Sequence, residues 1–108
     1  MSQFRVVLCS DMPLYAQGLS AAFEENYIFK VVAQVNYEEL TDTAVSLQPD
    51  VAIIKLRNMN ALDLLLELKH YCPSLLQVAI VDDPGQFDVM EMVNSGVRGC
   101  LPARLLPR

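Results

Sequence analysis

From one end to the other, the sequence alternates between short apolar runs and stretches of helical periodicity, and this alternation restricts the fold more than any other feature. Phe4 to Cys9 (FRVVLC) is almost continuously apolar, as a strand covered on both faces must be. Pro13 opens a helix at a favoured first-turn position, and Tyr15, Leu19, Ala22 and Phe23 follow at i, i+4, i+7 and i+8 as one buried stripe. Phe29 to Val35 (FKVVAQV) is looser, with Lys30 and Gln34 on one side, and predicts an edge strand. Asn36 with Glu39 three residues on resembles a capping box; Leu40, Ala44 and Leu47 carry the second helix until Pro49 stops it. Val51 to Leu56 (VAIIKL) is a buried strand with one intrusion, Lys55. Asn60 caps a third helix, with Leu62, Leu65, Leu68 and Cys72 along it as far as Pro73. Leu76 to Val81 (LQVAIV) is the fourth strand. Asp83 and Pro84 then start a helix with the stripe Val89, Met90 and Val93, which Gly96 ends. Gly99 to Leu101 begins a short fifth strand.

Strands and helices in strict alternation require right-handed crossovers and a parallel sheet between two helical layers, so the fold class is α/β, doubly wound. In such folds binding and chemistry belong to the loops at the carboxyl ends of the strands. Those loops hold Ser10, Asp11, Lys55, Arg57, Asn58, Asp82 and Asp83.

Composition narrows the function. A chain of 108 residues forms one domain, and 53% hydrophobic against 19% charged residues excludes a disordered tail. That balance also predicts more apolar surface than a self-contained monomer needs. A net charge of −5, without any run of Lys and Arg, argues against direct contact with a nucleic-acid backbone. Cys9, Cys72 and Cys100 have no paired spacing and read as reduced, buried thiols of a cytoplasmic protein. There is no signal-peptide pattern and no apolar stretch of membrane-spanning length. His70 has no metal-ligating partners at a suitable spacing. Without a nucleophile–base pair, metal cluster or glycine-rich phosphate loop, neither an enzyme nor a cofactor or metal site is expected.

Three segments carry a resemblance: FRVVLCSDMPLYAQGL at 4–19, QPDVAIIKLR at 48–57 and NSGVRGCL at 94–101. Together they resemble the receiver (CheY-like) domain of response regulators, in particular transcription regulators of the LuxR/NarL type. The resemblance spans almost the whole chain and implies a five-stranded flavodoxin-like sheet in the order 2-1-3-4-5. It also implies a role in two-component signal transduction and a C-terminal DNA-binding output domain beyond these residues. The helix that follows the fifth strand in such domains is expected to be missing or incomplete, since the sequence ends at Arg108.

The chemistry implied by that family needs two acidic residues after the first strand, a phosphoaccepting aspartate ending the third, a Ser or Thr ending the fourth and a Lys after the fifth. On this chain the acidic pair falls at Ser10 and Asp11, the acceptor at Lys55, the hydroxyl at Val81 and the lysine at Ala103; the aromatic switch residue becomes Cys100. The loop after the third strand, Asn58-Met59-Asn60-Ala61, is about two residues shorter than the family's form and lacks its proline. An ammonium cannot form an acyl phosphate, and a cation at position 55 both removes a magnesium ligand and repels the ion. The resemblance is therefore to a degenerate form, a pseudo-receiver.

Lys55 at a buried strand end requires a partner or a path to water. The expected partner is Asp11, with Asp82 second; Asp82 and Asp83 read first as a helix cap. Met90, Met92, Val93 and Leu101, with Cys100 beside them, form an expected open apolar flank suited to a homodimer. Leu66, on a helix also carrying Leu62, Leu64, Leu65 and Leu68, is the next interface candidate. A second reading makes the vacated acidic pocket of Ser10, Asp11 and Asp82 a small-molecule site anchored by Lys55.

Overall fold

The computed structural model describes residues 3–56, 62–82 and 89–102. Five strands and four helices follow one another as β1 (Phe4–Cys9), α1 (Pro13–Glu24), β2 (Phe29–Val35), α2 (Leu40–Leu47), β3 (Val51–Leu56), α3 (Leu62–Tyr71), β4 (Leu76–Val81), α4 (Val89–Asn94) and β5 (Val97–Pro102). Every strand pairing is parallel and the order is β2-β1-β3-β4-β5, as expected. The edge position of β2 and the first four strand spans also agree with the sequence reading. β5 starts two residues before the expected Gly99.

The local signals act where the sequence places them. Pro13 occupies the first turn of α1. The capping box at Asn36 is reciprocal: Glu39 N–H donates to Asn36 Oδ1 at 3.0 Å, and Asn36 N–H donates to Glu39 Oε1 at 3.4 Å. Before Pro49 can interrupt it, α2 is closed by Gln48 in the left-handed region at φ 52°, whose N–H donates to Ala44 O. Gly96, at φ 116°, turns α4 directly into β5. A Cβ there would lie 3.1 Å from Gln77 Nε2 and from Lys69 Cβ, so glycine satisfies both backbone and space.

The sheet divides the core in two. On one side Ala52, Ile54 and Leu56 of β3 and Ala79 and Val81 of β4 meet Leu40, Leu65, Leu68 and Met92 from α2, α3 and α4. On the other, Val6, Leu8, Ile53 and Ile80 meet Leu19 of α1, with Tyr15 and Phe23 half-buried beside them. Each of these large apolar side chains contributes about 1.5–3 kcal/mol by leaving water.

Several surface expectations change. Met92 is 2% exposed and belongs to the core, so it is no interface residue. The side of α4 turned to solvent carries Met90, 66% exposed, and Val93, 43% exposed. The single expected flank is also divided by the pleat. Leu101 aligns with Ile80 and lies on the α1 side of the sheet, whereas Cys100 aligns with Ala79 and lies on the α4 side. Leu66, Leu101 and Cys100 are exposed. Among the described residues no helix is long and apolar enough to cross a membrane.

Candidate functional site

The carboxyl ends of β1, β3 and β4 gather the residues singled out in the sequence. Strand parity sets which of them can meet. Lys55 follows Ile53 by two residues and therefore lies on the α1 face; its aligned neighbour in β4, Ile80, lies on that face too. Two residues beyond Ile80 the same parity brings Asp82 up beside Lys55. The Lys55 ammonium and Asp82 Oδ2 are 2.8 Å apart. The partners differ sharply in environment: the Lys55 side chain is 4% accessible and that of Asp82 is 73% accessible.

Two tyrosines complete the setting, and neither stands out in the sequence as a site residue. The first turn of α1 directs Tyr15 towards the sheet, and its ring centroid lies 5.5 Å from Lys55 Nζ, within range of a cation–π attraction. Burial, and then the negative charge of Asp82, push the Tyr15 hydroxyl above its ordinary pKa. Below α2, Tyr37 donates its hydroxyl to the Lys55 carbonyl oxygen. The end of β3 is thus held by its backbone from one side of the sheet and by its ammonium from the other. The available sequence signal was Tyr15 in the sheet-facing stripe of the helix that follows β1, combined with a cation at the end of the adjacent strand.

Ser10 is buried at the end of β1 and works locally. Its Oγ accepts the Met12 N–H at 3.0 Å, forming the turn into α1. Asp11 is half-buried beside it. Both line a cavity of about 470 Å³ with Ala16, Gln17, Gln34 and Glu39, between the ends of β1 and β2. The ion pair on Lys55 is made with Asp82, the second of its expected partners. Val81 is fully buried in the cluster under α2 and α3 with Leu56, on the opposite face from Lys55. Ala103, Arg57, Asn58, Met59, Asn60, Ala61 and Asp83 lie outside the described residues.

The thiols follow their burial. Cys9 is 1% exposed; burial, with Glu39 adding to it, pushes its pKa from 9.0 up to about 12. It is an inert core group at neutral pH.

No family model matches the sequence, and no curated protein sequence matches it. Solved structures do. The response regulator domain of CheB from Thermotoga maritima is 17% identical with a TM-score of 0.83, over 94% of this chain and 78% of that one. The signal receiver domain of the response regulator NarL from Mycobacterium tuberculosis is 21% identical with a TM-score of 0.81, over 94% and 85% of the two chains. RcsB from Salmonella enterica serovar Typhimurium, bound to promoter rprA in the presence of the phosphomimetic BeF3-, is 17% identical with a TM-score of 0.84. That match covers 98% of this chain and 63% of RcsB. With its 2-1-3-4-5 parallel sheet, the chain has the receiver fold of response regulators.

Proposed function

We propose that this chain is a pseudo-receiver: a non-enzymatic module of signal transduction and transcription regulation that operates in the cytoplasm without aspartyl phosphorylation. The observation that carries this reading is the buried Lys55 at the end of β3, already neutralised by Asp82. A carboxylate at this position is needed to accept a phosphoryl group, and an ammonium offers no oxygen for the acyl phosphate. The side chain that meets Lys55 from the end of β4 is that of Asp82, which offers no hydroxyl; Val81, where one was expected, faces the other side of the sheet. Magnesium would meet a fixed positive charge where it needs oxygen ligands.

Signalling then depends on contacts made by the surface of the domain, either with a second copy or with an output DNA-binding domain. RcsB, which shares the fold, is a promoter-bound protein longer than this chain, and it supports the second kind of partner. The net charge of −5 supports assigning DNA contact to the output domain and not to this one. Met90 and Val93 on α4 support self-association through that helix, because neither contributes to the core cluster and both are exposed. The alternative use of the pocket for a small anion is disfavoured, because Lys55 is covered and its charge is taken by Asp82.

Sedimentation equilibrium at micromolar concentration tests the contact surface. The parent chain is expected to form a dimer that is insensitive to phosphodonors, and Met90→Glu is expected to weaken it at unchanged stability. A strictly monomeric parent, or a dimer indifferent to Met90→Glu, removes α4 as the contact surface and moves attention to Leu66 on α3.

A further inference from the structure

We infer that the cavity at the amino-terminal ends of β4 and β5 binds a small phosphate-type oxyanion through Lys69 and Arg98. The inference is independent of the pseudo-receiver reading, whose residues gather at the opposite, carboxyl ends of the strands.

Lys69 stands in the last turn of α3, and Arg98 is the second residue of β5. A break in register brings them to one cavity. Gln77 of β4 aligns with Val97, but Val78 aligns with Gly99, so Arg98 is the extra residue of a β-bulge. In an unbroken register Arg98 would align with Val78, which packs on the α1 face. A bulge re-aims the side chain it carries. Arg98 instead lines a cavity of about 200 Å³ with Lys69, Ser74, Gln77 and Gly96. Glycine at position 96 keeps the base of this cavity open to the lysine. A Cβ there would lie 3.1 Å from Lys69 Cβ and 3.2 Å from Lys69 Cδ, so the lysine stem is laid directly across it. Gln77 closes the wall from inside, 1% exposed, with its Nε2 donating to Leu65 O at 3.3 Å.

Charge identifies the ligand. The chain carries a net charge of −5, yet among the described residues no carboxylate lines this cavity and none lies within ion-pair range of Lys69 or Arg98. The other cations near the sheet are occupied: Arg5 Nη1 donates to Leu47 O and Gln48 O, and Lys55 is paired with Asp82. Arg98 Nη1 reaches Val93 O at 3.5 Å and Val97 O at 3.4 Å, long contacts that orient the guanidinium and leave most of its five donors to spare. Both cationic side chains are exposed, so a ligand from solvent can reach them. A planar fork and a rotatable ammonium beside the Ser74 hydroxyl suit the several acceptor oxygens of a phosphate. The volume is below the roughly 300 Å³ at which pockets for drug-sized ligands begin, which fits a free phosphate or a small monoester.

Amide chemical shifts of the full chain, titrated at constant ionic strength with sodium phosphate and separately with glycerol 3-phosphate, test this. Saturable shifts are expected at residues 69, 74, 77 and 96–98. Tighter binding of glycerol 3-phosphate would assign the site to phosphate monoesters, and tighter binding of inorganic phosphate to the free ion. Lys69→Gln and Arg98→Gln lie outside both core clusters, so each is expected to keep the parent melting temperature and to weaken binding about tenfold. Arg98→Lys should restore only part of the loss, because it returns the charge without the fork. Shifts that stay linear to the end of both titrations overturn the site. Saturable shifts that persist equally in Lys69→Gln and Arg98→Gln, or that centre on Lys55 and Asp82, overturn it as well.

Discussion

Stranding the Lys55 charge is the most informative perturbation of stability, and its size can be bounded from the geometry. At 2.8 Å the attraction between Lys55 and Asp82 is about 1.5 kcal/mol in a water-like dielectric and about 6 kcal/mol at an effective dielectric near 20. Asp82 is mostly in solvent, so the lower part of that range applies, and water will partly replace the lost carboxylate. The Lys55 side chain, however, is only 4% accessible, so its ammonium cannot recover full hydration where it stands. Asp82→Ala should therefore cost about 1–3 kcal/mol, between the value of a surface pair and the 3–5 kcal/mol of a fully buried one. For a domain of this size that lowers the melting temperature by roughly 5–15 °C. Lys55→Met removes the charge and keeps most of the stem beside Tyr15, so it should stay within about 1 kcal/mol of the parent. Urea and thermal unfolding of the two variants decide between the outcomes. Equal losses below about 0.5 kcal/mol would show a pair worth no more than an exposed one, and a larger loss in Lys55→Met than in Asp82→Ala would refute the asymmetry outright.

The remaining expectations concern α4 and the thiols. Met92→Glu forces a carboxylate into the core beside Leu65 and Leu68 and should cost more than about 3 kcal/mol in urea unfolding, while Met90→Glu on the same helix should leave stability within about 0.5 kcal/mol. A thiol reagent should modify exposed Cys100 first, half-buried Cys72 more slowly and buried Cys9 only on unfolding. With its pKa raised to about 12, Cys9 keeps its proton in the folded chain while the unfolded chain loses it from pH 9.0 upward. That contribution to stability is complete below pH 9.0 and declines between there and about pH 12, and Tyr15, also raised, adds in the same direction. Unfolding midpoints that rise between about pH 8 and about pH 10 would contradict this sign.

What could be read from the sequence follows from which signals are local. The first four strand spans, the Pro13 start, the Asn36–Glu39 box and the Gly96 turn each depend on a few adjacent residues, and all stand in the structure. The choice between Asp11 and Asp82 for Lys55 depends on register instead. It is settled by Lys55 aligning with Ile80 and by pleat parity two residues on, which a single strand's pattern does not contain. The phase of α4 is not legible for a related reason. Val89, Met90, Met92 and Val93 are four apolar residues among five, so a helix of six residues has no unique apolar stripe, and packing against Leu65 and Leu68 selects Met92.

If Lys55 stands in place of phosphoryl chemistry with a permanent charge pair, as proposed, the chain takes up no phosphoryl group. Mass spectrometry of the intact chain, after incubation with acetyl phosphate or phosphoramidate and magnesium, tests it most directly. An unchanged mass is expected; the addition of one phosphoryl group that hydroxylamine removes, as it removes an acyl phosphate, would overturn the pseudo-receiver reading.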